Sequence, residues 1–229
     1  MTRLLRKLRL AWLDLLAFPK SLIFNFHYLP WRQAIRLPIW VSHATRLEAM
    51  QGKIVLPLSI RTGMIRFGLN RNVVFGASAS KSLWLMTAGS EIHFLGPAAF
   101  DLSPTLVIEG GKVVVGEQFQ ANARFSLFCR NRIELGSHSI AAWDVTIMDH
   151  DFHQIVEPET LKQLNEPRPV QIGAHVWIGQ DTLILKGVEV EPDCVVAARS
   201  ILTRSVVGTH QVIGGNPARV LKQGVDWRP

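Results

Sequence analysis

From residue 172 onward the chain places an aliphatic side chain at every sixth position: Ile172, Ile178, Ile184, Val190, Val196 and Leu202. The same beat opens earlier, with Leu135, Ala141 and Ile147. A period of six is neither the roughly 3.6 of an amphipathic helix nor the 2 of a half-buried strand. It fits a chain that turns one corner per sextet, so that three short flat faces close a coil and the aliphatic residue points inward. The glycines that follow the opener, Gly173 and Gly179, suit tight packing at a corner.

A longer repeat runs through the first half. Apolar–glycine pairs occur at Phe75-Gly76, Leu95-Gly96, Val115-Gly116 and Leu135-Gly136, twenty residues apart each time. Each ends a β-rich segment: "NVVFG", "EIHFLG", "KVVVG", "RIELG". Coils of this kind pair their backbones with the coils above and below, so none is stable alone. The expected architecture is all-β, a parallel β-helix.

A chain of 229 residues with 48% apolar content has enough material for one sizeable core with an appendage. The boundaries expected are 1–50 for a helical N-terminal extension, 51–222 for the β-helix and 223–229 for a tail. Cys129 and Cys194 match no metal-ligand spacing or disulfide framework, which points to a reducing, cytoplasmic setting. Residues 1–50 carry eight Lys and Arg against two acids, so six of the seven net positive charges sit there. The body is near neutral, and no nucleic-acid partner is expected. In "TRLLRKLRLAWLDLLAF", Leu5, Leu8, Trp12 and Leu15/Leu16 recur at helical spacing between basic residues. The segment is too short and too charged to span a membrane, and no small-residue cleavage site follows. It reads as a helix packed on the domain, or as one lying on an anionic membrane face. Pro19, Pro30 and Pro38 are expected to break the region into short pieces.

"IMDHDFHQI" concentrates Asp149, His150, Asp151 and His153 in five positions. The sextet phase fails just after it and restarts at Ile172. The intervening stretch, around 154–170, is rich in Pro and Glu and reads as a loop thrown out from the prism. A rigid scaffold that ends in such a loop is a common place for chemistry. An imidazole can accept a hydroxyl proton, and a nearby carboxylate can fix its tautomer.

On these residues the chain resembles the hexapeptide-repeat acyltransferases, and more narrowly the sugar and polysaccharide O-acetyltransferases, over about residues 55–222. The resemblance implies a left-handed β-helix, a homotrimer, acetyl-CoA as co-substrate, a sugar or glycan acceptor and no required metal. A "D-x-D-x-H" pattern points to His153 as the base, with Asp149 and Asp151 around it, and is favoured. A "T/S-x-H" pattern points instead to His150. "VGEQFQANARF" is similar to a segment that makes Asn122 an acceptor-binding residue, although Ala123-Arg124 departs from the pattern and a plain turn asparagine competes. Trp143 is a second acceptor candidate. "VWIG" and "GNPARV" match the donor-binding coils. They imply Trp177, Gly179, Ala198 and Thr203 along the pantetheine arm and Arg204, Arg219 and Lys222 near the nucleotide phosphates.

The alternatives are a sugar-nucleotide N-acyltransferase, a zinc-dependent β-helix hydratase using His150, His153 and His175, and a non-catalytic assembly module. Peripheral attachment to the inner membrane face through the basic N-terminus is a further expectation.

Overall fold

The computed structural model describes residues 3–69 and 81–228, with side chains from Trp12 onward. The pair Phe75-Gly76 lies outside the described residues. Two helices, α1 (Arg3–Tyr28) and α2 (Trp31–Ala34), precede the strands. The strands that follow are short and take turns on three faces of a prism, in sheets of nine, seven and six strands among the described residues. The first face runs from Ile39–Val41 through Ala98–Phe100, Phe119–Ala121, Ile140–Ala141 and Trp177–Ile178 to Gln211–Gly215. The second includes Arg46–Met50, Ser126–Cys129, Thr146–Met148 and Ile201–Leu202, and the third Lys53–Val55, Arg132–Leu135 and Val170–Ile172. Among the described residues every strand pairing between coils is parallel, and the closing strand Ala218–Gln223 turns back antiparallel on Gln211–Gly215. The sheets take in residues 39–50, so the β-helix begins earlier than the boundary at 51 expected from the sequence.

All nine residues on the sextet beat are buried, at no more than 3% exposure, and they rotate through the third, first and second faces in order. Burial of each Ile, Leu or Val among them contributes about 1.5–3 kcal/mol, and the smaller Ala141 contributes less. Coil length follows the filling. Ile184 stands under Leu202 eighteen residues on, in an aliphatic stretch. Leu127 stands under Ile147 twenty residues on, and the coils on its N-terminal side are filled by rings, with Phe100 5.8 Å from Phe119 and 5.9 Å from Phe125. Wider coils hold larger side chains. One pair departs from the twenty-residue reading: Phe94, not Leu95, pairs with Val115, and Leu95 is 57% exposed at the corner.

The corners repeat as well. Between the first and second faces, Arg124, Asp144, Asp181 and Arg199 all have φ near +60°, a region where short polar residues are tolerated best. Arg124 donates two hydrogen bonds, at 2.6 and 2.5 Å, to Asp144 on the next coil. Gly136 shows how closely the coils approach, since a Cβ there would lie 2.0 Å from the carbonyl oxygen of Gly173.

Helix α1 runs unbroken through Pro19, contrary to the expectation of short pieces. Its contacts to the first coil hold it. Asn25 Oδ1 accepts from Ile39 N–H, and its Nδ2 donates to the Ile39 carbonyl. Ser21 Oγ accepts from Val41 N–H, and Lys20 Nζ donates to the carbonyls of His43 and Thr45. These side chains satisfy backbone groups that the first coil would otherwise present as an open sheet edge. The inward face of α1 therefore carries polar groups beside Ala17 and Phe24. Its outward face is apolar, with Trp12, Leu15, Leu22, Ile23 and Phe26 exposed. That polarity is the reverse of an ordinary surface helix. No described helix is long and apolar enough to cross a membrane.

Candidate functional site

Strand Thr146–Met148 delivers the acidic–histidine cluster to the corner between the second and third faces. The preceding coil turns this corner in two residues, Arg130 and Asn131, whose backbone N–H groups have no strand partner there. Asp149 supplies it: Oδ1 accepts from Arg130 N–H and Oδ2 from Asn131 N–H, both at 2.8 Å. Asp149 is fully buried, and His150 Nδ1 lies 2.9 Å from the same Oδ1. A carboxylate offers only acceptor capacity, so Nδ1 carries the hydrogen, and in the neutral ring the lone pair is on Nε2. That Nε2 is buried and has no hydrogen-bond partner. An unpaired buried acceptor costs on the order of 1–3 kcal/mol, a cost that the fold bears at this one imidazole.

Phe152 lies over this ring, edge-on at 4.6 Å between centroids, and also meets Phe128 at 5.2 Å. Its φ is +61°, an uncommon conformation for an aromatic residue, held at a cost of about 1–3 kcal/mol. The Arg130 guanidinium sits 5.8 Å from the Phe152 ring and donates to its carbonyl.

His153 has different surroundings. It is exposed, and it stands at the root of the extruded loop. Asp151 pairs not with an imidazole but with Lys186, and it accepts from Asn165 Nδ2 at 2.8 Å. The Lys186 hydrogen bond, opposed by partial burial and aided by Asn165, holds the Asp151 carboxyl below its usual range. Asn165 also binds the His153 carbonyl and accepts from Ile155 N–H, and Arg168 N–H closes the loop on the Asp149 carbonyl. Asp151 is thus a loop anchor. Cys129, beside Asp149, is buried, and burial raises its thiol pKa well beyond the usual range.

The other expected site residues divide over several surfaces. Asn122 and Trp143 are half-buried at the corner between the first and second faces, across the second face from His150. Gly179 and Ala198 stack on that same corner, where a Cβ on Gly179 would lie 2.5 Å from Ala198 N. Trp177 projects from the first face, 43% exposed. Thr203 and Arg204 are exposed on the His150 corner, and Arg219 and Lys222 on the antiparallel strand. One prism does not gather the acceptor candidates, the donor candidates and the histidine into one cleft. His175 lies at the third corner with Asp193, 2.9 Å away. Among the described residues no group of three His, Cys, Asp or Glu is placed to hold a metal ion. Arg130, Phe152, Asn165 and Lys186 were missed in the sequence. Only Lys186 gave a signal, as a charge two residues past a sextet opener.

No family model matches the chain. The crystal structure of the polySia-specific acetyltransferase NeuO superposes with a TM-score of 0.63 at 20% identity, covering 82% of this chain and 74% of that one. The fold is a left-handed parallel β-helix of the acetyltransferase type. Among curated proteins, polysialic acid O-acetyltransferase of Escherichia coli O1:K1 / APEC is 29% identical over 120 residues, 52% of this chain and 39% of that protein. A putative acetyltransferase of Dictyostelium discoideum is 37% identical over 125 residues, 53% of this chain and 64% of that protein. The matches thus span less than two-thirds of either relative. These relatives are named as acetyltransferases.

Proposed function

We propose that this protein transfers an acetyl group from acetyl-CoA to a hydroxyl of a sugar or glycan, with His150 as general base. The observation that carries the reading is the Asp149–His150 pair, with a fixed tautomer and an unpartnered Nε2. In the reaction Nε2 takes the acceptor hydroxyl's proton while its oxygen forms a bond to the thioester carbonyl. Collapse of the tetrahedral intermediate breaks the C–S bond, and the imidazolium returns the proton to the leaving thiolate. A positioned base of this kind is worth about 10²–10⁴-fold. His153 is not the base in this scheme, because no carboxylate orients its ring.

The separation of His150 from Asn122 and Trp143 by a whole face supports a site shared between copies. The His150 corner of one prism meets the Asn122 corner of the next in a homotrimer, with acetyl-CoA in the groove between them. The apolar outer face of α1, next to Arg3, Arg6, Lys7 and Arg9 of the sequence, suits an anionic membrane surface and hence an acceptor carried there. Flotation with vesicles containing phosphatidylglycerol, compared with phosphatidylcholine alone, tests this; equal absence from both refutes it.

The activity test uses His150→Ala, His153→Ala and Asn122→Ala in separate preparations, with acetyl-CoA and a panel of glycan acceptors. His150→Ala should abolish transfer and His153→Ala should retain most of it. Mixing His150→Ala with Asn122→Ala subunits under exchange should restore activity that neither has alone. Equal activity of His150→Ala and the unmodified protein would refute the base, and no recovery on mixing would refute the shared site.

A further inference from the structure

A cavity of about 500 Å³ lies away from His150, on the first face. That volume is within the roughly 300–1,000 Å³ of small-molecule sites. Its origin is a ladder of outward positions: Arg66, Ala99 and Gln120 occupy the same place on three successive coils. A methyl group between two long polar side chains leaves a trough. Arg66 is turned aside to Asp14 of α1, which fixes one end. Arg61, Asp101, Gln118 and Gln120 stand around the rim, and Asn122 marks the other end, at the corner already assigned to the acceptor.

We propose that this trough binds a sugar unit next to the one being acetylated, so that the protein takes an oligosaccharide in preference to a lone sugar. Only the statement that the bound chain is the acetyl acceptor rests on the acetyltransferase reading. The chemistry fits a pyranose. Planar amide and guanidinium groups pair with adjacent hydroxyls in two-point contacts, and Arg61, Gln118 and Gln120 supply them around the opening. The floor of Ala99 and Pro97 presents the apolar surface on which the C–H face of a sugar rests. One acid and one exposed arginine share the rim, so recognition runs through hydroxyl geometry rather than through one sign of charge. The trough extends from the Asn122 corner toward the N-terminal coils, which sets the direction of the glycan chain.

Binding of the full chain to a printed panel of linear neutral and acidic oligosaccharides and their monosaccharides, without acetyl-CoA, tests the proposal. Calorimetry then uses whichever glycan is retained. The oligosaccharide should bind about tenfold more tightly than its single unit. Ala99→Phe, which fills the trough, and Arg61→Ala, on an exposed corner, should each remove most of that difference. Retention of no oligosaccharide, or equal affinity in Arg61→Ala and the unmodified protein, would overturn it. Because no donor is present, a glycan that binds but is not acetylated counts against the proposed reaction and leaves the trough standing.

Discussion

Asp149 and His150 are adjacent in sequence, and their side chains fold back on each other at 2.9 Å with both groups sealed from solvent. The carboxylate has two tasks there: it closes the Arg130–Asn131 turn and it sets the imidazole tautomer. Asp149→Asn keeps the shape but replaces one acceptor oxygen with a donor. The amide must then face a backbone N–H or offer its own hydrogen to Nδ1, which moves the imidazole proton to Nε2. We expect kcat to fall by roughly 10²–10⁴-fold, with a smaller change in the KM for acetyl-CoA. Steady-state kinetics beside circular dichroism checks this. A parallel loss in His153→Ala would mean that the pair is not the base.

The prism's packing gives a prediction independent of chemistry. Gly136 sits where a Cβ would be 2.0 Å from the carbonyl oxygen of Gly173, a backbone atom that cannot move without shifting a coil. Gly136→Ala should destabilise by several kcal/mol, while Gly110→Ala meets nothing within 4 Å and is strained only by its φ of +77°. Thermal denaturation of the two variants should rank them in that order, with Gly110→Ala costing about 1–2 kcal/mol. The reverse order would contradict the coil spacing.

The six-residue beat made the prism legible because it reports burial directly: an aliphatic residue at each opener fills the only space inside a three-sided coil. Leu95 was misplaced because a twenty-residue count assumes equal corners, and the corner 109–111, between Ile108 and Lys112, holds three residues where the next coil turns in two, Arg130 and Asn131. Helix α1 defeated the reading of Pro19 because its register is set by Ser21 and Asn25 hydrogen bonds to Ile39 and Val41, which are tertiary and leave no periodic trace. The cluster was visible as a cluster, yet the roles within it were not. A "D-x-D-x-H" pattern cannot tell that Asp149 turns inward to two backbone amides while Asp151 turns outward to Lys186.

The Asp151–Lys186 contact makes the loop acid-sensitive. Because the folded carboxyl titrates below its ordinary range, the anchor is complete above the ordinary aspartate value of about 3.9 and is lost as pH falls through the lowered one. Hydrogen exchange across residues 154–167 should therefore stay slow down to about pH 4 and quicken below it. Lys186→Met should quicken exchange already at neutral pH and flatten the acid response. An exchange profile insensitive to both would assign the loop's order to Asn165 alone.

Phe152 decides how the imidazole is reached. Its ring covers His150 edge-on at 4.6 Å, its backbone is held at φ +61°, and Nε2 has no exposure beneath it. An acceptor hydroxyl can approach Nε2 only if that ring moves or if a neighbouring copy reshapes the corner. Diethyl pyrocarbonate, which acylates an accessible imidazole nitrogen, reads this directly. In the unmodified protein His150 should react far more slowly than exposed His153, and Phe152→Ala should raise the His150 rate by about tenfold or more while leaving His153 unchanged. Peptide mapping separates the two. Replacement by Leu, which keeps bulk but removes the flat edge, should fall between them. An unaltered His150 rate in Phe152→Ala would place the barrier elsewhere, in the packing of Phe128 and Arg130 around the same corner.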